Sequence, residues 1–175
     1  MIDPRREARF IWKEFEIYQL QMGESIVWFR FDTSVSAYNR VYDEGGRDYH
    51  IGVRVPALWV DQSEDVETYT PDGRRPTQRL NFAVSTRSLA ECGIDVTEAH
   101  GARQRDHSLP MAHPWLDDRL NDVLWYDDRF WSISNFQIRG RLMSEDVVIG
   151  VSGIELQTPD ESLFDKFPQD YQYWS

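Results

Sequence analysis

The sequence predicts a mainly β protein: a small antiparallel β-barrel or sandwich with an N-terminal helix and a long projecting loop. Three observations lead there. Short runs of β-branched and aromatic residues recur with period two. Turn signals stand between them, and only one long stretch has helical spacing. With 175 residues, 41% of them hydrophobic and 14% aromatic, the chain has enough apolar material for one packed core and too little length for two large domains.

The helix comes first, in residues 1–22. Asp3 suits an N-cap and Pro4 the first helical position, while Ala8, Ile11, Phe15, Tyr18 and Met22 share one stripe and Gly23 ends it. A β domain is expected over residues 23–158. Ile26 to Phe31 and Gly52 to Val60 read as strands, with Pro56 marking an edge or a bulge in the second. Between them, residues 32–50 are polar and rich in Tyr, Asp and Gly, longer than a hairpin needs, and predict a projecting loop. Thr70-Pro71-Asp72-Gly73 predicts a reversal between antiparallel strands, because proline presets the second turn position and glycine accepts positive φ. The return strand is Gln78 to Ser85. A helical turn from Ser88 to Cys92 follows, ending at Gly93, and residues 97–113 read as an exposed loop. Three further strands are expected at Asp122 to Tyr126, Phe130 to Ile138 and Asp146 to Leu156, joined by an Asp127-Asp128 turn and the Arg139-Gly140-Arg141 region. Residues 159–175 form an aromatic tail with no evident core to enter.

Charge narrows the partners. Nineteen Lys and Arg oppose thirty Asp and Glu, for a net −11, so general binding to nucleic-acid phosphates is disfavoured and sequence-specific DNA reading is nearly excluded. No run approaches the roughly 20 apolar residues of a membrane span, and no membrane partner is expected. A single cysteine, Cys92, can form no intramolecular disulfide, which favours a reducing compartment.

Candidate chemistry is sparse. Asp117-Asp118-Arg119 and Asp127-Asp128-Arg129 repeat ten residues apart, and a hydrolase using Asp118 and Asp128 would place both carboxylates in one cleft. Paired aspartates more often bond the backbone of their own turns. His100, His107 and His113 are spaced seven and six apart, which matches no compact metal-ligand motif. The expectation is therefore no catalytic residue, no metal and no cofactor. Trp115, Trp125, Trp131 and Trp174 with Tyr171 and Tyr173 leave a carbohydrate-stacking β-sandwich as an alternative. Phe167, Tyr171, Tyr173 and Trp174 in the tail, with Trp12 and Phe15 in the helix, are candidate partner-interface residues.

Residues 119–156, beginning Arg119-Leu120-Asn121-Asp122-Val123-Leu124-Trp125-Tyr126-Asp127-Asp128-Arg129-Phe130-Trp131, resemble the central hairpin of head-to-tail connector proteins, the head-closure or stopper subunits of long-tailed phages. Val41-Tyr42-Asp43-Glu44-Gly45-Gly46-Arg47 and Val53-Arg54-Val55-Pro56-Ala57-Leu58-Trp59-Val60 are similar to stoppers of actinobacterial phages, and seventeen arginines against two lysines suit a GC-rich genome. The resemblance implies a barrel that assembles with copies of itself into a six-fold or twelve-fold ring in the virion neck. Its neighbours would be the portal or adaptor ring and the tail terminator or tail tube proteins; adaptor and terminator subunits are the related alternatives. The resemblance also implies a loop that enters the channel and makes loose, non-specific contact with packaged DNA. Residues 32–50 are the best match for that loop, with Arg40, Tyr42, Asp43, Glu44, Arg47 and Asp48 as its channel-facing residues, and the Thr68 to Gln78 hairpin is the second candidate. An acidic lining would repel DNA and keep it moving.

Overall fold

The computed structural model describes residues 4–32, 34–35, 46–70, 73–94, 119–142 and 145–169. Helix α1 spans Pro4–Met22, and the strands are β1 (Ser25–Phe29), β2 (Val53–Pro56), β3 (Trp59–Thr70), β4 (Gly73–Ser85), β5 (Val123–Tyr126), β6 (Arg129–Leu142) and β7 (Glu145–Glu155). A short helix α2, Thr86–Glu91, follows β4, and a 3-10 turn at Glu161–Lys166 follows β7. The seven strands form one antiparallel sheet in the order β2-β1-β5-β6-β7-β4-β3.

That order explains the curl. β2 and β3 occupy opposite ends of the sheet, yet only Ala57 and Leu58 separate them along the chain. The Ala57 amide donates to the Glu24 carbonyl beside β1, and the next amide, of Leu58, donates to Ala83 of β4. One extended segment thus changes partner at Pro56, and the two ends of the sheet are drawn together into a small barrel. The single run expected over residues 52–60 is therefore two strands. Proline, which lacks an N–H, sits where the first pairing ends.

The two faces of β1 show how the core divides. Ile26 and Trp28 point into the curl with Val55, Leu80, Phe82, Val84, Leu124, Trp131, Ile133, Ile149 and Val151. Val27 and Phe29 point out, yet they too are buried, in a second cluster with Tyr49, Val123, Phe130 and Leu163. Full burial of both faces accounts for the absence of polar alternation in Ile26-Val27-Trp28-Phe29. Gly52 lies against the second cluster: a Cβ there would come within 2.7 Å of Val27 Cγ1 and 2.8 Å of Phe29 Cε1, so only glycine fits the close approach.

Leu163 corrects the expectation that nothing beyond Leu156 enters a core. Asp160 caps the 3-10 turn by accepting from the Ser162 amide, and Leu163 is fully buried against the outer face of β1. The sheet needs this cover because Val27 and Phe29 would otherwise face water.

Several local signals lead to the expected structure. Asp127 and Asp128 take φ of 53° and 58°, left-handed values at both central positions of a two-residue hairpin between β5 and β6. Thr70 pairs with Gly73 across the β3–β4 reversal. Ser85 caps α2 through the Ser88 amide, and Gly93 ends the turn with φ of 74°. Arg139-Gly140-Arg141 differs from expectation: it lies within β6, and the reversal to β7 comes after Leu142.

Candidate functional site

The base of the 32–50 segment is built by pairing. Phe31 bridges Tyr49, the Asp32 amide donates to the Asp48 carbonyl, and the His50 amide donates to the Arg30 carbonyl. Tyr49 is buried and its ring meets Phe31 edge-on at 5.9 Å, so the two ends of the segment are held together at a fixed stem. Asp32 accepts the Ser34 hydroxyl at 2.6 Å and the Ser34 amide at 2.9 Å, which holds its carboxyl below the usual carboxylate range. His50 Nε2 stands 3.6 Å from the Asp32 carboxylate on the same stem.

The expected channel residues divide accordingly. Arg40, Tyr42, Asp43 and Glu44 lie outside the described residues. Arg47 is exposed at the stem. Asp48 is half-buried and ion-paired with Lys166 at 3.2 Å, which ties the stem to the 3-10 turn. Its carboxylate therefore faces this chain's own lysine.

The stem is anchored by Asp122. This carboxylate is fully buried at the head of β5; it accepts the Trp28 indole N–H at 2.8 Å, the Phe31 amide at 2.8 Å and Arg119 at 3.3 Å. Burial pushes its pKa up to about 6, while Arg119 and the other donors pull it down. Three donors and no acceptor surround the two oxygens, an arrangement suited to the ionised form. Asp122 was legible in sequence only as the first residue of a strand, since nothing local distinguishes it from the exposed aspartates nearby.

The interface candidates also separate. Phe167 is half-buried in the second cluster, its ring 5.3 Å from Phe29, 5.4 Å from Trp125 and 5.9 Å from Phe130. The 3-10 turn brings this expected partner-interface residue back over β1 and β5, so part of its ring is engaged within the chain. Tyr171, Tyr173 and Trp174 lie outside the described residues, as does the side chain of Trp12. Phe15 is half-buried on α1. The last turns of α1 reach the barrel through Gln19, which donates to Ser88 Oγ at 3.0 Å and the Pro56 carbonyl at 3.3 Å, and through Glu16, 3.4 Å from Arg87. Phe10, Ile17 and Tyr18 stay exposed on the same helix.

Nor do the other candidate sets converge among the described residues. Trp131 is fully buried and donates to the Tyr126 carbonyl, while Trp125 packs on Phe167, so these two do not share a sugar-stacking face. Asp127 and Asp128 are exposed in their turn; Asp118 and the three loop histidines fall outside the described residues. Cys92 is half-buried with Sγ 3.2 Å from the Arg54 carbonyl, and burial raises its thiol pKa.

No protein-family model matches the chain, and no curated protein matches it. Among solved structures, one chain of a particle described as "Virion of native gene transfer agent (GTA) particle" is similar at 11% identity and a TM-score of 0.38, over 77% of this chain and 96% of that one.

Proposed function

We propose that this chain is a structural, non-enzymatic subunit of a phage neck: a head-closure ring that joins the portal or adaptor to the tail and retains packaged DNA. The supporting observation is the build of residues 119–156, the stretch that resembles stoppers. They fold as β5, a two-residue turn, β6 and β7, the centre of the curled sheet, with Asp122 locking β5 to the stem of the 32–50 segment. A rigid barrel that carries a long segment on a buried, hydrogen-bonded stem suits a part that must hold a loop in a channel. Contact of that loop with DNA is loose and salt-sensitive, in keeping with an acidic chain.

The test is to replace residues 36–47 by a short Gly-Ser link in the phage that carries the gene. The barrel should stay folded by circular dichroism, and filled heads should lose DNA before tails attach. A map of assembled particles with this loop on the outer wall in every subunit would end the channel reading. Absence of the chain from purified virions by mass spectrometry would end the neck reading altogether.

A further inference from the structure

Two long connections have their roots at one end of the barrel, just beyond Phe29 of β1. The first, between β1 and β2, is held where Phe31 bridges Tyr49 and the Asp32 amide donates to the Asp48 carbonyl. The second joins α2 to β5. It starts at Gly93-Ile94, where the Ile94 amide donates to the Leu89 carbonyl and the Ile94 side chain is fully buried, and it returns at Arg119, whose carbonyl accepts the Asp122 amide.

Two residues join these roots. The Arg30 carbonyl accepts the His50 amide of the first root, and the Arg30 guanidinium donates through Nη1 to the Gly93 carbonyl of the second at 3.0 Å. Asp122 holds the Phe31 amide of the first root on one oxygen at 2.8 Å and Arg119 of the second on the other at 3.3 Å. The β1–β5 register Phe29↔Val123, carried one residue further, puts Arg30 opposite Asp122, so the two links are cross-strand neighbours. Trp28, on the same face of β1, fixes Asp122 to the core through its indole N–H. Stability alone is a poor account of this junction. The Nε atoms of Arg30 and Arg119 are both buried without a hydrogen-bond partner among the described residues, and Arg119 meets Asp122 through one nitrogen rather than the two of a fork.

We propose that Arg30 and Asp122 couple the two roots, so that loosening either root shifts the opening equilibrium of the other. The paths are short and their ends are fixed. From Arg119 one carboxylate leads to the Phe31 amide, and from Gly93 one guanidinium leads to the residue whose carbonyl holds His50. Restraint of one connection therefore steadies the other, and linkage makes the effect reciprocal. This goes beyond the neck reading and does not depend on it.

Native-state hydrogen exchange of the full chain, read amide by amide by NMR, tests this, with the Phe82 amide of β4 as the reference for global unfolding. Arg119→Met removes the second root's hold on Asp122 and breaks no bond of the first root. Relative to Phe82, it is expected to speed exchange at the Asp32 and His50 amides at least about fivefold, the low end of ordinary couplings. Arg119→Lys, which keeps a cation for Asp122, should restore most of the protection. In the reverse direction, Asp32→Ala, which breaks the Ser34 contacts at the first root, should speed exchange at the Ile94 and Asp122 amides at least about fivefold. The coupling is refuted if Arg119→Met leaves Asp32 and His50 unchanged relative to Phe82, or if Arg119→Lys exchanges there as fast as Arg119→Met. It is equally refuted if Asp32→Ala leaves Ile94 and Asp122 unchanged. Failure here leaves the neck role standing or falling on virion composition alone.

Discussion

Asp122→Asn isolates the balance at the one fully buried carboxylate among the described residues. In the native chain its pKa rises from 3.8 to about 6, a shift of roughly two units, each equivalent to about 1.4 kcal/mol. A raised carboxyl pKa means that the folded state binds the proton more tightly than the unfolded state between those values. The group's contribution is therefore fully present below the unfolded pKa of 3.8 and is lost as pH rises through about 6. Relative to the Asn variant, the native chain should gain about 2 kcal/mol on going from pH 7 to pH 4, approaching about 3 kcal/mol at lower pH. Asparagine does not titrate, so the difference between the two proteins cancels the other carboxylates. At pH 7 the amide must also turn its own N–H toward one of three donors, Trp28, Phe31 or Arg119, which costs about 1–3 kcal/mol. Urea unfolding followed by tryptophan fluorescence at half-unit pH steps would measure this. A difference that stays flat from pH 4 to pH 7 would refute the reasoning. One that changes in the other direction would show that the three donors outweigh burial and hold the carboxyl below its ordinary value.

Replacing Asp127-Asp128 by Asn-Gly should raise stability by about 1 kcal/mol, or roughly 2–4 °C in Tm, because both positions hold positive φ; calorimetry checks it. Gly52→Ala should cost about 1–3 kcal/mol in a urea titration, since the added methyl meets Val27 and Phe29 and displaces a backbone that donates to Lys166 at 2.7 Å. Phe167→Ala should cost about 2–3 kcal/mol, somewhat less than a fully buried phenylalanine; an unchanged unfolding midpoint would return this ring to the surface. Removing residues 171–175 should leave the circular dichroism spectrum intact, whereas truncation after Thr158 should lose cooperative unfolding because Leu163 leaves the second cluster.

Local features were legible because each has a local cause. The alternation in Leu80, Phe82 and Val84, the glycine after α2 and the paired aspartates between β5 and β6 each report a backbone requirement within a few residues. Strand identity could be read this way; strand neighbours could not. That β2 and β3 divide at Pro56 to join opposite ends of one sheet depends on β1 and β4, which lie on either side in sequence and far from one another in register. The same holds for the tail. Phe164, Phe167 and the residues after them look alike as an aromatic run, but Phe167 packs on Phe29 and Trp125 while Phe164 stays largely exposed. Length and polarity single out residues 32–50, yet the stem at the two ends of that segment rests on Asp122 and Lys166, contributed by two distant parts of the chain. Hydrophobic pattern and turn chemistry thus determined a mainly β chain with one leading helix. Only the tertiary structure decided which faces of β1 are covered and which aspartate is buried, because burial and pairing are set by residues distant in sequence.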